Sequence, residues 1–476
     1  MKRVFYALLG IACVIFMGGM SISLVYAEPT NNVSGRSFKI TFNNQANNKN
    51  IKHVYLVLKG SIGGKSCFIK ISPSDKAVSP CIPVTASIKP VDYAFDAVNN
   101  VTFRVPPLSS GRMYVSINKP LVMHINADGT VAEPSVYDSN PISNPDYKTM
   151  FDKVEFTYNE NGSTFFNPTA VDFLSLPISV AQNKNVFGLT TDRETAFSQI
   201  QRTFDEEFPT REYQRLFKKD NNVVLRILAP GRESNFFDGK YMDPYIDWLF
   251  NEYYYSNDGK TAAHTLSIQL VETSGVIPGK PRILTEEEGK FKGFVKTVDH
   301  EKVLVLTNIL GDIINIKRSS FTSNSLFMAA MDNIEVKVSD QVRNRIAAQI
   351  KDPTQAINAL TNGYKAVTVK FITSAWAVGL LPIPNGDVID QQYIRDKIGT
   401  DVRQIYAERF ALPPSLKNRG PWFQLYGKAI HLLTPHLYAF PYDDVLGLDG
   451  TNAENDAFPA VVTLHSMANT VVPLSN

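Results

Sequence analysis

The chain has 476 residues, of which 44% are hydrophobic and 11% aromatic, and it carries a formal net charge of +2. This length and composition allow a large buried core and more than one domain. The nearly neutral charge argues against nucleic acid or an anionic membrane as a partner, because both are bound through clustered basic residues.

Residues 1–27 have the pattern of a secretory signal peptide. Lys2 and Arg3 precede a long apolar run, and VYA at residues 25–27 offers small residues at the cleavage position. Cleavage would start the mature chain at Glu28 and leave 46 basic and 46 acidic residues. We therefore expect a secreted protein, extracellular or periplasmic, without membrane contact. An uncleaved membrane anchor is the alternative, because the apolar run is long.

Two cysteines remain after cleavage of the signal peptide. Cys67 and Cys81 are close enough in sequence to close a short loop, and an exported protein meets an oxidising compartment. A disulfide between them is therefore predicted. A zinc site or a catalytic thiol lacks support, since there is no CxxC and no histidine near either cysteine.

Segments with strand character follow one another from Ser37 to about Val180. They are rich in β-branched and aromatic residues and are separated by Gly, Pro, Asn and Ser. In chain order they are SFKITF, HVYLVLKG, CFIKI, NVTFRV, RMYVSI and VEFTY. This stretch has no long amphipathic helix, so the pattern predicts an antiparallel β-sandwich or barrel.

Helical periodicity begins after Thr190. The segment TTDRETAFSQIQRTF opens with a capping box formed by Thr191 and Glu194. Its apolar residues share one helical face: Phe197, Ile200 and Phe204. In DPYIDWLFNEYYY, Asp243 is the expected N-cap and Pro244 the first helical residue.

Strands and helices then mix along the chain. The segments VVLRIL, HTLSIQLV, KVLVLTN and DIINIKR have strand patterns, and SDQVRNRIAAQI has the pattern of a helix. The last fifth returns to a helix in PWFQLYGKAIHLL, followed by an acidic loop and a strand. This order predicts a mixed α/β region without the regular alternation of a doubly wound sheet.

Several motifs of known enzyme classes are missing from the sequence. There is no GxSxG elbow, no GxGxxG after a strand, no GxxxxGK[ST] loop and no HExxH. His431 and His436 lie five residues apart without a third ligand, which favours structural roles over a metal site. We therefore expect no metal and no organic cofactor.

The stretch FDKVEFTYNENGSTFFNPTAVDFLSL, residues 151–176, places Glu155 and Asp172 among apolar strand residues. An unpaired carboxylate in such surroundings is costly. Because side chains alternate along a strand, the apolar ones share the buried face: Val154, Phe156 and Tyr158. The polar ones share the open face: Glu155, Thr157 and Asn159.

The hairpin signal Asn161-Gly162 relates the two acids. A two-residue turn there would set Glu155 opposite Pro168, and counting on by twos places Asp172 on the face of Glu155. A straight ladder would still separate them by roughly 13 Å at about 3.3 Å per residue. Asn167-Pro168 should bend the chain and bring Asp172 back toward Glu155.

Such a pair would suit one type of sugar chemistry. Inverting glycosidases use two carboxylates about 6.5 to 9.5 Å apart, one protonating the leaving oxygen and one activating water. Thr157, Asn159 and Thr169 could bind sugar hydroxyls, and Phe165 could stack on a sugar ring. The alternative is that both carboxylates are simply solvated on an exposed strand face.

Several segments resemble glycoside hydrolase family 64, the β-1,3-glucanases that release laminaripentaose, and its thaumatin-like relatives. They are SGRMYVSINKPL, YDSNPISNPDYKTMFDKVEFTYNENGSTFFNPTAVDFLSLPISV, VVLRILAPG, DPYIDWLF and YAFPYDDVLG. The resemblance implies a mainly β fold combined with an α/β part. In it a thaumatin-like β-sandwich packs against a mixed α/β domain, with a wide acidic groove between them.

The resemblance also implies roles for individual residues. Glu155 falls on the general acid and Asp172 on the general base of an inverting mechanism. Residues expected to touch sugar are Thr157, Asn159 and Thr169. Either Phe165 or Phe166 would supply the aromatic residue of the hairpin. Asp443 and Asp444 would line the acidic groove, or alternatively cap backbone amides in their loop.

The implied domains are a β-sandwich over 28–185, a mixed α/β domain over 186–415, and a C-terminal segment, 416–476, that returns to the groove. Residues 273–332 do not align with the family pattern. The resemblance therefore implies an enzyme, expected to be a monomer, that binds β-1,3-glucan and releases short laminari-oligosaccharides. The alternative is a non-catalytic glucan-binding or inhibitory protein on the same scaffold.

Overall fold

The computed structural model describes residues 36–207, 211–233, 243–255, 264–270, 284–322, 333–398, 424–448, 451–454 and 458–473. The predicted signal peptide, the expected start at Glu28 and part of the 273–332 region lie outside these ranges. The division into domains stays a prediction.

Strands dominate the first part of the described chain and recur to its end. In chain order they are β1 (Phe38–Asn44), β2 (Val54–Ile62), β3 (Lys65–Ile69), β4 (Cys81–Pro83), β5 (Ala94–Asp96), β6 (Val101–Val105), β7 (Leu108–Ile117), β8 (His124–Ile125), β9 (Val131–Ala132), β10 (Phe151–Tyr158), β11 (Thr164–Pro168), β12 (Phe173–Leu174), β13 (Ile178–Gln182), β14 (Asn185–Gly188), β15 (Phe217–Asp220), β16 (Val223–Leu228), β17 (Leu266–Gln269), β18 (Lys290–Val298), β19 (Glu301–Thr307), β20 (Ile313–Lys317), β21 (Glu335–Lys337), β22 (Asn452–Glu454) and β23 (Ala460–Leu464).

Helices are concentrated after residue 190. They are α1 (Pro90–Tyr93), α2 (Arg193–Glu207), α3 (Asp243–Glu252), α4 (Asp340–Gln349), α5 (Pro353–Ala377), α6 (Gln391–Ile398), α7 (Leu425–Leu433) and α8 (Asp443–Leu446). Single 3-10 turns occupy Arg211–Leu216, Pro230–Arg232, Glu287–Gly289 and Arg318–Ser320. Among the described helices, none has the length and apolar character needed to cross a membrane.

Two sheets form the sandwich predicted for the first part of the chain. One has the order β14-β13-β23-β1-β6, and the other β22-β11-β10-β7-β2-β3-β4 with β5 added beside β2. Their facing side chains form one core, in which Phe38 and Ile40 of β1 join Leu56 of β2, Met113 of β7 and Phe156 of β10. The pairing is antiparallel except between β1 and β23, which run parallel.

A second core covers the other face of the larger sheet. Val57, Tyr114 and Phe151 of that sheet belong to it, together with apolar residues of the helices. The remaining sheets are β12-β16-β15, the antiparallel β17-β18-β19-β20-β21, and the β8-β9 hairpin. Strands and helices are thus mixed in the later part without regular alternation, as the pattern predicts.

The helix prediction is right about the buried face of α2 and wrong about its cap. Phe197, Ile200 and Phe204 are all buried. Asp192 replaces the predicted Thr191, because its carboxylate accepts a hydrogen bond from the Thr195 amide over 3.0 Å. An aspartate one residue closer to the helix reaches the free amide directly.

Candidate active site

Glu155 lies on the face of the larger sheet that points away from the sandwich core. Four directly paired residues form a row across this face: Lys59 (β2), Arg112 (β7), Glu155 (β10) and Asn167 (β11). Val154 and Phe156, its neighbours in sequence, are buried in the sandwich core. The alternation predicted for VEFTY is confirmed.

The predicted register of the hairpin is wrong by one residue. Glu155 pairs with Asn167 and not with Pro168. The turn has three residues, since Asn159 donates its amide hydrogen to the Ser163 carbonyl over 2.9 Å. Gly162 has φ = 96°, a left-handed conformation that glycine adopts without strain and that suits three-residue hairpin loops.

This register changes the reason why Asp172 comes near Glu155. With Asn167 opposite Glu155, strict alternation would put Asp172 on the opposite face of the sheet. The chain instead leaves the sheet after Pro168, as the sequence predicts. Thr169 forms a parallel bridge with Tyr438, and the Ala170 amide donates to the Tyr438 carbonyl over 2.6 Å.

The bend delivers Asp172 to a different sheet. Phe173 begins β12, which pairs with β16, and the Ala229 amide after β16 donates to the Asp172 carbonyl over 3.0 Å. The 3-10 turn that follows brings Arg232 back to the Asp172 side chain. Its Nε donates to Asp172 Oδ1 over 2.7 Å, and its Nη2 donates to the same oxygen.

Lys153 joins Asp172 to the strand of Glu155. Lys153 Nζ donates to Asp172 Oδ2 over 2.6 Å, and its side chain is only 2% exposed. Burial alone would raise the pKa of Asp172, but the ion pairs with Lys153 and Arg232 outweigh burial and hold that pKa well below its usual range. Asp172 is therefore a carboxylate at neutral pH.

Glu155 is held by Arg112, its partner across the sheet. Arg112 Nε donates to Glu155 Oε1 over 2.8 Å, and its Nη1 donates to Glu133 Oε1. Lys153 Nζ donates to the other oxygen of Glu133 over 2.8 Å. Burial lowers the pKa of Arg112, but Glu155, and after it Tyr114 and Asp172, raise that pKa overall.

These contacts link both predicted carboxylates in one charged cluster. We define the charged cluster as Glu133, Glu155, Asp172, Arg112, Lys153 and Arg232. Beneath it lies the fully buried Tyr114, whose hydroxyl has no hydrogen-bond partner among the described residues. At its edge, Lys59 has a pKa lowered to about 7, first by burial and then by Arg112 and Lys153.

The predicted sugar contacts separate into two groups. Thr157 and Phe165 pair directly with each other and are half-buried on the face of Glu155, whereas Phe166 is buried in the sandwich core against Phe156. The open choice between the two phenylalanines therefore falls on Phe165. Asn159 lies at the start of the turn, where its side-chain Nδ2 donates to the Ser163 hydroxyl over 2.9 Å.

Thr169 is less accessible than a sugar contact requires. It is 3% exposed, and its hydroxyl accepts a hydrogen bond from the Val171 amide over 3.4 Å. In this conformation it stabilises the bend between β11 and Asp172. Sugar contact by Thr169 was predicted. Its side chain is instead buried within the bend and is not accessible to a sugar in this conformation.

Asp443 and Asp444 do not join the charged cluster in any described contact. Asp443 is fully buried, and its Oδ2 accepts from the amides of Ala439 and Phe440 over 2.6 and 2.8 Å. The capping alternative is thus the correct one for Asp443, and its predicted place in the groove is wrong. Asp444 forms an ion pair with Lys370 over 3.1 Å.

His431 and His436, which were considered as metal ligands, each contact another side chain of the protein. His431 Nε2 lies 3.1 Å from Asp443 Oδ1 inside the protein. His436 packs its ring edge-on against Phe187, with 5.4 Å between ring centroids. Within the part of the chain that is described, no three His, Cys, Asp or Glu side chains come together as metal ligands.

Cys67 and Cys81 lie on the adjacent strands β3 and β4 but are free thiols. The predicted disulfide is thus not formed in this structure. The ladder pairs Cys67 with Pro83 and Cys81 with Ile69, so the two cysteines are diagonal neighbours. Cys67 is buried and Cys81 is exposed. Burial, followed by a hydrogen bond with Cys81, raises the pKa of the Cys67 thiol.

The sequence interpretation missed the residues that surround both acids. They are Arg112, Glu133, Lys153 and Arg232. A signal existed for two of them, because Arg112 and Lys153 interrupt apolar strand residues in RMYVSI and FDKVEF. Glu133 directly follows the two-residue strand β9, and Arg232 ends a 3-10 turn. The positions of these short elements depend on tertiary packing, and their segments carry no comparable pattern.

Comparison with known proteins gives a consistent picture. Residues 36–286, just over half of the chain, match the family model of glycoside hydrolase family 64, described as β-1,3-glucanase. No curated protein matches the chain significantly.

Solved structures extend the likeness over most of the chain. A laminaripentaose-producing β-1,3-glucanase in complex with laminaritetraose superposes with a TM-score of 0.61 at 16% identity, covering 90% of this chain and 99% of that one. A β-1,3-glucanase domain from Clostridium beijerinckii gives 0.54 at 16% identity over 92% and 100%. The laminaripentaose-producing enzyme from Paenibacillus barengoltzii gives 0.51 at 15% identity over 90% and 75%. At such identities these superpositions show a shared fold.

Proposed function

The chain belongs to glycoside hydrolase family 64, the β-1,3-glucanases, and on this premise we propose that it hydrolyses β-1,3-glucan with inversion of configuration. Glu155 is the general acid and Asp172 the general base. The observation that carries the proposal is the bond from Lys153 to Asp172, because Lys153 lies two residues before Glu155 on the same strand. It supports a single site built from both acids.

Asp172 has the properties that a general base needs. Lys153 and Arg232 keep it ionised, and its side chain remains 17% exposed. A carboxylate in this state can accept a proton from water as the water attacks the anomeric carbon. Its two cations also fix the orientation of the carboxylate, which favours one water position.

Glu155 has the position that a general acid needs. It faces away from the sandwich core, its side chain is 22% exposed, and Arg112 orients it. Cleavage passes through an oxocarbenium-like transition state in which the leaving oxygen takes up a proton. When Glu155 carries that proton, Arg112 keeps Glu133 as an anionic partner, so the guanidinium is not left unpaired.

Thr157 and Phe165 extend the site along the same face of the sheet. The hydroxyl of Thr157 can bind a sugar hydroxyl, and the ring of Phe165 can pack on a pyranose. Asn159 offers a polar group at the hairpin end. The polymer would then run along β10 and β11 across Glu155, in a groove between a thaumatin-like sandwich and the α/β part, and would leave as short laminari-oligosaccharides.

Export is part of the proposal. The N-terminal pattern supports cleavage before Glu28 and secretion of the mature chain. In an oxidising compartment the neighbouring Cys67 and Cys81 would close a disulfide. N-terminal sequencing of the exported protein and titration of its free thiols test these points: a retained leader or two free thiols would contradict them.

The deciding experiment uses the mature protein with laminarin and curdlan. We expect oligosaccharide release by the parent protein and a loss of roughly 10²- to 10⁴-fold in Glu155→Gln and Asp172→Asn. Glu206→Gln and Asp75→Asn, at exposed positions, are matched controls that should keep the parent rate. NMR of the first anomer formed distinguishes inversion from retention.

One observation favours a second function, non-catalytic glucan binding. Both carboxylates are engaged by cations, Glu155 by Arg112 and Asp172 by Lys153 and Arg232, so a ligand that only binds would find a preformed polar surface. Retention of the parent protein on curdlan without sugar release would support this function and overturn the hydrolase proposal.

A further inference from the structure

Glu133 occupies the middle of the charged cluster. Its Oε1 accepts from Arg112 Nη1 and its Oε2 accepts from Lys153 Nζ over 2.8 Å. Arg112 is the cation that holds Glu155, and Lys153 is the cation that holds Asp172. One carboxylate therefore connects the supports of both proposed catalytic groups.

The segment that carries Glu133 is held on both sides of this residue by cationic side chains from two different sheets. Before it, Lys59 Nζ donates to the Val131 carbonyl over 2.8 Å. After it, the buried Arg226 donates from Nη1 to the Val136 carbonyl over 3.3 Å. The Glu133 side chain is 22% exposed. It thus lies at the surface of the site in a fixed position.

Charge explains why a carboxylate is needed at this point. Arg112 and Lys153 are diagonal neighbours on β7 and β10, because Arg112 pairs with Glu155 and Lys153 pairs with Tyr114. Diagonal neighbours lie about 7–8 Å apart, within reach of long side chains. Without an anion between them the two cations would repel each other, and each would seek another partner.

We propose that Glu133 is a positioning residue that spaces Arg112 and Lys153 so that each cation keeps its own carboxylate, Glu155 or Asp172. As an inference about catalysis this rests on the proposed function, and Glu133 itself need not touch the sugar. With Glu133 in place the charged cluster balances three carboxylates with three cations.

The test compares two substitutions of Glu133, one that changes the charge of its side chain and one that changes its length. Glu133→Gln keeps the length and removes the charge, whereas Glu133→Asp keeps the charge and is too short to hold both cations. We expect kcat on laminarin to fall by about 100-fold in each, with a much smaller change in KM, because sub-ångström positioning of the acids is lost. Glu206→Gln, exposed on α2, is the control for folding and expression.

The pH–rate profile distinguishes positioning from a merely structural role. Glu133→Gln leaves the cluster with one excess positive charge, so both limbs of the profile should move to lower pH. Glu133→Asp should keep the limbs of the parent while kcat falls. Variants that only lower Tm, with parent kcat and parent limbs in the folded fraction, would overturn the proposal.

Crystal structures of the parent and of Glu133→Gln at one pH provide a readout that needs no activity. We expect at least one of the ion pairs, Arg112 with Glu155 or Lys153 with Asp172, to open beyond about 4 Å. If both pairs stay closed, the proposal is wrong, whether or not the parent hydrolyses glucan. If they open but the parent releases no sugar, the hydrolase proposal fails and the positioning of the cations stands.

Discussion

Lys153 and Asp172 are joined by a bond of 2.6 Å between an almost fully buried ammonium and a carboxylate that lies directly before a strand of another sheet. The cation comes from β10, the strand that also carries Glu155. The strand therefore contributes one proposed catalytic group directly and fixes the second through a neighbouring side chain. Changes at Lys153 should affect Asp172 before they affect Glu155.

Replacing Lys153 by Met should alter the pH dependence of hydrolysis. Loss of the ammonium leaves burial opposed by Arg232 alone, so the pKa of Asp172 should rise. The base must be ionised to act, and the acidic limb of the kcat/KM profile should therefore move to higher pH. Lys184→Met, an exposed turn position, is the matched control, and an unmoved limb in Lys153→Met would contradict the role assigned to the pair.

Asp172 should also contribute to stability in a pH-dependent way. Its native pKa is depressed, so its contribution is present above the unfolded value of about 3.9 and is lost as pH falls through the native pKa. Asp172→Asn should lower the free energy of unfolding at pH 7 by roughly 1–3 kcal/mol, because Lys153 and Arg232 each lose an anionic partner. Urea unfolding at pH 7 and pH 3 measures the gap, which should shrink at pH 3. A gap that stays constant would count against the linkage.

Phe165 and Phe166 form a natural pair of controls on β11. Phe165 is half-buried beside Thr157, whereas Phe166 is buried and stacked on Phe156 with 5.0 Å between centroids. Phe165→Ala should reduce kcat/KM on laminarin up to about tenfold, since a ring contact contributes about 0.5–1.5 kcal/mol, with little change in stability. Phe166→Ala should cost about 3–5 kcal/mol of unfolding free energy. Parent-like kcat/KM in Phe165→Ala would contradict the assignment of the sugar contact to Phe165.

Lys59→Met should stabilise the protein near neutral pH. The pKa of Lys59 is lowered to about 7, largely by burial, so below pH 7 the native state holds a charge that the unfolded state hydrates better. Native-state stability of the parent should rise as pH increases from about 7 toward the unfolded value near 10.4. We expect the variant to gain on the order of 1 kcal/mol at pH 6, after allowing for the lost bond to Val131. Thermal unfolding at pH 6 and pH 9 should show this advantage shrinking, and a larger advantage at pH 9 would refute it.

Periodicity was sufficient for the faces of single strands and for the elements named in the sequence analysis, although it missed others. Val154 and Phe156 are buried, and Glu155 faces out, because alternation along a strand is a local property. The register of the hairpin depended on whether its loop has two residues or three, and the Asn161-Gly162 signal alone does not decide between them. With the observed register, which differs by one residue, alternation along β11 would place Asp172 on the face opposite to Glu155. Asp172 comes near Glu155 only because the chain leaves the sheet after Pro168.

Long-range partners were beyond a reading of one sequence. The bend after Pro168 depends on Tyr438, some 270 residues later, and the orientation of Asp172 depends on Arg232. The helix α5 was not predicted, although its signals are local. Asp352 and Pro353 are favourable N-terminal residues, but Gly363 and several β-branched residues lower the helix propensity of its interior. Neither kind of information is contained in the spacing around Glu155.

The place of β23 in the fold bears on how the protein is made. This strand, Ala460–Leu464, is the last described one in the chain, yet it lies in the centre of its sheet between β13 and β1. Until β23 is present, β1 and β13 lack the strand with which both of them pair. Pairings between strands so distant in sequence form slowly. The sandwich therefore cannot close before Ala460–Leu464 has been synthesised. Deleting Ala460–Leu464 would leave β1 and β13 without the strand that joins them and would prevent closure of the sandwich.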